Sequence, residues 1–145
     1  MMNTSPRTGK RIILPMKPMA NTRHRCRCIP GYKVGRPYLA TDYREWRKEA
    51  ARLLKEQPLG DPFEGPVQVW MRFAFPRPKS TKLKYPKPDI DNLQKSILDA
   101  LTEDGRVWKD DFQVVRIIEA SKVWTDAPTG GIVIDVIQLE DSFYQ

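Results

Sequence analysis

The sequence predicts a small α+β domain with a mixed, largely antiparallel sheet and two principal helices. Val67, Val69, Met71 and Phe73 alternate with Gln68, Trp70, Arg72 and Ala74, the two-residue period of a strand over about residues 66–75. Tyr43, Trp46, Ala50, Leu53 and Leu54 recur instead at helical intervals, and a second such set, Leu93, Ile97, Ala100 and Leu101, follows the strand. At 145 residues the chain is long enough for one hydrophobic core, whereas two independent domains would each be marginal. Residues 1–145 therefore read as one domain, with residues 1–10 a flexible tail.

Taken in order, Arg11 to Leu14 is short but β-rich and reads as a strand, followed by a Pro- and Arg-rich loop through Pro30. The stretch TDYREWRKEAARLLKE predicts a helix over about residues 42–56, with Asp42 and Glu45 at capping-box spacing and Arg44, Arg47, Lys48 and Arg52 available to its wetter side. Gln57 to Gly65 is a loop by its Pro and Gly content, and the strand at 66–75 comes next. Residues 76–88, PRPKSTKLKYPKP, hold five basic residues, four prolines and no acid, a composition that forms an exposed basic loop. The second helix is expected to begin at Asn92 with Asp91 as its N-cap. FQVVRIIEASKVW and IVIDVIQL read as two strands joined through TDAPTGG, consistent with a long β-hairpin.

No apolar run approaches the 18 or more residues that a membrane span requires. The run near the N-terminus is short and broken by Pro15, so it lacks the central block of a signal peptide, and a cytoplasmic protein is expected. Cys26 and Cys28 in HRCRC are too close for a favourable disulfide with each other; with His24 they have no recognisable zinc spacing, so the segment reads as a basic loop. There is no internal repeat, nucleotide-binding glycine signature or P-loop.

Charge is distributed unevenly. The net is +9 over residues 1–50, +5 over 51–88 and −7 over 89–145, so the whole positive excess precedes Asp89. A basic surface attracts a polyanion by counterion release and field focusing, and an acidic cluster repels it. The conflict disappears if the carboxylates hold divalent cations; the alternative is that they solvate a helix and a loop. Seven acids fall between Asp89 and Asp111. In extended backbone, Asp89 and Asp91 would point to one side while Ile90 turned to the core. Asp99 lies about two helical turns beyond Asp91, roughly 12 Å away, too far to share an ion; it is expected to pair with Lys95. Asp110 and Asp111 precede the next strand, and either can be carried towards the same site. Three converging aspartates suit hard Mg²⁺ or Mn²⁺, with Lys95 either adding positive charge near a phosphate or forming a surface ion pair. Paired-carboxylate glycoside chemistry lacks its aromatic sugar cleft here. A non-catalytic DNA-binding module would leave the DID and DD acids with only cap and turn roles.

DIDNLQKSILDAL followed by WKDD, together with PMKPMANTR, YREWRKEAARLL and KVWTDAPTGG, resembles the RusA family of bacterial and prophage Holliday junction resolvases. The resemblance covers most of the chain. It implies a homodimer that binds four-way DNA and makes paired, metal-dependent nicks in opposing strands, leaving 5′-phosphate and 3′-hydroxyl ends. It also implies catalytic roles for Asp89, Asp91, Asp111 and Lys95, with Mg²⁺, or Mn²⁺ as a substitute, held by the three aspartates. Arg77, Lys79, Lys82, Lys84 and Lys87 are the first candidates for DNA contact, and Arg23, Arg25 and Arg27 form a second patch. The alternative is a related metal-dependent nuclease acting on other branched DNA.

Overall fold

The computed structural model describes residues 8–21, 25–27, 36–38 and 41–144. Strand β1 spans Gly9–Leu14, two residues longer at its start than the sequence pattern gives. Short strands β2 (Arg25–Arg27) and β3 (Arg36–Tyr38) pair antiparallel with each other. Helix α1 (Thr41–Lys55), strand β4 (Val67–Pro76), helix α2 (Ile90–Asp104), and strands β5 (Val114–Thr125) and β6 (Gly131–Gln138) follow. The larger sheet has the order β1-β6-β4-β5, with β4 antiparallel to β6 and parallel to β5. It is the mixed, mostly antiparallel sheet with two principal helices expected of an α+β domain.

The alternation of β4 explains its central place. Val67, Val69, Met71, Phe73 and Phe75 are buried, in register with Ile132, Ile134 and Val136 of β6 and through it with Ile12 and Leu14 of β1. Tyr43, Trp46, Ala50 and Leu54 of α1 and Leu93, Ile97, Ala100 and Leu101 of α2 join the same core. Arg106 then ties the two helices. Its guanidinium donates to the carbonyls of Gln57 (3.0 Å) and Leu54 (2.5 Å), at the end of α1, while Asp104 at the end of α2 holds it at 2.8 Å. Each carbonyl also accepts a backbone amide, Leu54 O from Gln57 at 3.1 Å and Gln57 O from Leu59 at 3.0 Å, so the cation adds a second, charged donor where α1 stops.

The hairpin expectation is corrected. β5 and β6 do not pair; β4 lies between them, because α2 carries the chain back to start β5 parallel to β4. The TDAPTGG connection therefore crosses the end of β4. Gly130 sits there at φ 67°, and a Cβ on it would lie 2.6 Å from the Ala74 carbonyl oxygen and 2.9 Å from Pro76 Cδ. Only glycine fits that crossing.

The first helix also differs on its outer side. Arg47 turns from solvent towards α2: it donates to Tyr43 Oη on its own helix and to the Asp99 carbonyl of α2, and pairs with Glu103 of α2. Lys48 pairs with Glu45, and Arg52 with Glu49 and Glu56. Glu45 thus faces Lys48, while Asp42 accepts from the Tyr43 amide at 2.8 Å. Much of the basic face of α1 is neutralised by acids on the same helix.

Candidate active site

The start of α2 brings three of the expected residues onto one short stretch. The helix begins at Ile90, not Asn92, and its N-cap is Asp89, not Asp91. The cause is packing: Ile90 joins Leu93 and Ile97 against the core at helical spacing, which draws the helix start two residues back. Asp91 is consequently helical, so the extended geometry expected for the Asp89-Asp91 pair does not occur. The Asp89 backbone is extended (φ −68°, ψ 136°) and its carbonyl accepts from Leu93 N at 3.1 Å, but its carboxylate makes no capping bond. Both carboxylates are exposed at the positive end of the helix dipole.

Asp111 arrives from the other side of the helix turn. Buried Trp108, whose indole donates to Thr102 Oγ1 at 2.8 Å, anchors the chain after α2. A single 3₁₀ turn, Asp111–Gln113, then leads into β5. Asp110 caps this turn: its Oδ1 accepts from Phe112 N at 3.3 Å. Gln113 completes a capping box from a buried position. Its Oε1 accepts from the amides of Asp110 (3.2 Å) and Lys109 (2.9 Å), and its Nε2 donates to the carbonyls of Phe63 (2.7 Å) and Gly65 (3.0 Å). Within the DD pair, Asp110 caps the turn's backbone and Asp111 lies towards Lys95 of α2, while the two carboxyls stay in side-chain contact with each other.

Lys95 stands between the two parts. Its Nζ donates to Asp99 Oδ1 at 2.9 Å, the expected pair, and lies 3.9 Å from Asp111 Oδ2. The bond to Asp99 raises the Lys95 pKa, so the ammonium stays charged. Burial pushes the Asp111 carboxyl up, its neighbour Asp110 adds to this, and Lys95 opposes it. Asp91 precedes Lys95 by one turn, about 6 Å along the axis. Among the described residues no group of three or more His, Cys, Asp or Glu side chains is placed to hold a metal ion. The all-carboxylate donors have the right chemistry for Mg²⁺, but in this arrangement they are not gathered into a site for it.

The loop that reaches Asp89 is anchored at several points. Arg77 N donates to the Thr125 carbonyl at 3.0 Å, Trp124 Nε1 to the Leu83 carbonyl at 3.0 Å, and Lys122 Nζ to the Pro88 carbonyl at 2.7 Å. Arg77, Lys79, Lys82, Lys84 and Lys87 are all exposed, and among the described residues none of them joins an ion pair. Of the second basic patch, Arg25 and Arg27 lie on β2, while Arg23 falls outside the described residues, as do His24 and Cys28. Cys26 lies opposite Pro37 in the β2-β3 pair.

Three supporting residues escape the sequence reading. Gln113 has a local signal, the D-x-x-Q spacing from Asp110. Lys122 holds the residue before Asp89 from the adjacent strand. Asn21 donates from its backbone to the Asn92 carbonyl (2.9 Å) and from its side chain to Asp99 Oδ2 (3.2 Å). Neither of these last two contacts has a local sequence signature.

The family model for Endodeoxyribonuclease RusA matches residues 15–137. The chain is 32% identical over 104 residues to the crossover junction endodeoxyribonuclease RusA of Escherichia coli (strain K12), covering 72% of this chain and 75% of that protein. The protein of that name from Enterobacteria phage 82 matches at the same identity and coverage, and that of Shigella sonnei (strain Ss046) at 31%.

Proposed function

The chain belongs to the RusA family of endodeoxyribonucleases, and from that premise we propose that it is a cytoplasmic, structure-selective nuclease that resolves four-way DNA junctions. The observation that carries the reading is the juxtaposition of opposite charges at Asp89. A loop pinned to β5, with five exposed cations of which none joins an ion pair among the described residues, ends where two exposed carboxylates begin α2. The loop neutralises backbone phosphates, and the acidic start of α2 meets the phosphodiester that is cut. Asp89, Asp91 and Asp111 are the proposed catalytic carboxylates, with Lys95 the cation beside the scissile phosphate. Dependence on Mg²⁺ or Mn²⁺ is part of the proposal and rests on the family and on the all-oxygen donor set, not on a preformed cluster. Hydrolysis in this reading leaves 5′-phosphate and 3′-hydroxyl ends.

Two opposed cuts call for two symmetric sites, so the active species is proposed to be a homodimer. Supporting this is the outer edge of β5. Two bulges there, between Val67 and Gln68 and between Val69 and Trp70 of the paired β4, leave Val115 and Ile118 as extra residues, both exposed. With exposed Ile117 they give this strand an apolar patch that a second copy would cover under a twofold axis. Light scattering should return a mass twice that of the chain; a monomeric mass at assay concentrations would remove the dimer.

The decisive assay compares nicking of a labelled four-way junction with linear duplex, flap and three-way DNA, with Mg²⁺ or Mn²⁺ and with EDTA. Paired, metal-dependent cuts confined to the four-way substrate are expected. Stronger cutting of another branch would replace the substrate assignment, and binding without cuts would leave a DNA-binding module. For the loop, Lys82→Ala with Lys84→Ala should weaken junction binding and reduce the slope of log affinity against log salt by about 2. An unchanged slope would exclude direct phosphate contact by this pair.

A further inference from the structure

We infer that Asp99 and Asn21 are positioning residues that aim Lys95 at the reacting phosphate, an inference that rests on the nuclease reading above. Lys95 extends from an exposed helix face on a four-carbon stem, and such a side chain ordinarily samples many rotamers. An i,i+4 pair with the lysine first is the less favourable order on a helix, so Asp99 by itself would fix the ammonium weakly. The structure adds a second constraint from outside the helix. Asp99 Oδ1 accepts from Lys95 Nζ at 2.9 Å, while Asp99 Oδ2 accepts from Asn21 Nδ2 at 3.2 Å, so both carboxylate oxygens are engaged and its plane is set. Asn21 is in turn fixed through its own amide, which donates to the Asn92 carbonyl in the first turn of α2 at 2.9 Å.

The result is a chain of contacts, Asn21 to Asp99 to Lys95, that ends with the ammonium 3.9 Å from Asp111 Oδ2. The segment following β1 thereby clamps two points of α2, at Asn92 and Asp99, with Lys95 between them. Asp99 is itself too far along the helix to touch the substrate phosphate that Asp91 would meet, so its effect must pass through Lys95. Losing the clamp leaves the ammonium charged but unaimed. Misplacement of a reacting group by about 1 Å costs up to roughly 100-fold in rate, so Asp99→Asn should slow the cleavage step by roughly 10- to 100-fold with junction affinity little changed.

The test is a double-mutant cycle on single-turnover cleavage of a four-way junction, using Lys95→Ala, Asp99→Asn and the pair, with junction affinity and thermal melting measured alongside. If Asp99 acts through Lys95, the double variant is no slower than Lys95→Ala alone, Asp99→Glu recovers part of the rate, and Asn21→Ala gives a smaller loss of the same kind. Independent, multiplying losses, or an Asp99→Asn effect that appears in affinity or melting and not in rate, would overturn the positioning role. A Lys95→Ala variant with full activity would overturn the role assigned to Lys95 and this inference with it. Wild-type protein that cuts no branched DNA would overturn the nuclease reading itself.

Discussion

Asp91→Asn should abolish cleavage of a four-way junction, with a loss of roughly 10³-fold or more, while the affinity for the junction changes by less than about threefold. The substitution is isosteric and removes one negative charge from an exposed side chain in the first turn of α2. Its structural cost is small, because an acid at this end of a helix contributes about 0.3–1 kcal/mol through the helix dipole and Asp91 is not the N-cap. In the proposed reading, binding depends mainly on phosphate neutralisation by the basic half of the chain, which the change leaves intact. Single-turnover cleavage, junction affinity and a urea midpoint on the same preparation separate the possibilities. Equal loss of folding and activity would assign Asp91 a structural role, and retained cleavage would remove it from the site.

Much of the fold was legible because its signals are local. The alternation of Val67 to Phe73 and the helical spacing of Leu93, Ile97 and Leu101 state which side of each element is buried, and the core follows from them. The pairing of β5 was not legible for the opposite reason. TDAPTGG says that the chain turns, but whether β6 lands beside β5 or beyond β4 is decided by the non-local parallel pairing of β4 with β5. The extra residues Val115 and Ile118 also disturb the alternation by which an observer would assign the faces of β5. At the site, the acidic residues and the delivery of a basic loop to Asp89 were readable from composition and order. What gives Asp110 and Asp111 different partners is a three-residue 3₁₀ turn, and the Asp99 that pairs with Lys95 is also bonded by Asn21, which approaches from the far end of the sequence.

Gln113→Ala should cost about 3 kcal/mol of stability and lower the melting temperature by roughly 10 °C. The amide uses its full capacity: two donors to the Phe63 and Gly65 carbonyls and two acceptor positions for the Lys109 and Asp110 amides. Truncation leaves four backbone groups without this partner, and the Phe63 carbonyl, whose bond is buried, is too enclosed for water to replace it fully. Gln113→Glu is no remedy, since it keeps the acceptor side and sets a carboxylate against two carbonyl oxygens. The functional consequence follows from what the turn carries. Gln113 joins the 63–65 loop to the backbone just before Asp111, so without it the approach of Asp111 to Lys95 is no longer enforced from below. Cleavage by Gln113→Ala, assayed well below its melting temperature where the protein is folded, should therefore fall further than the folded fraction accounts for. A variant that melts early but cuts at the wild-type rate when folded would show that Asp111 keeps its place by the Asp110 cap and the Trp108 anchor alone.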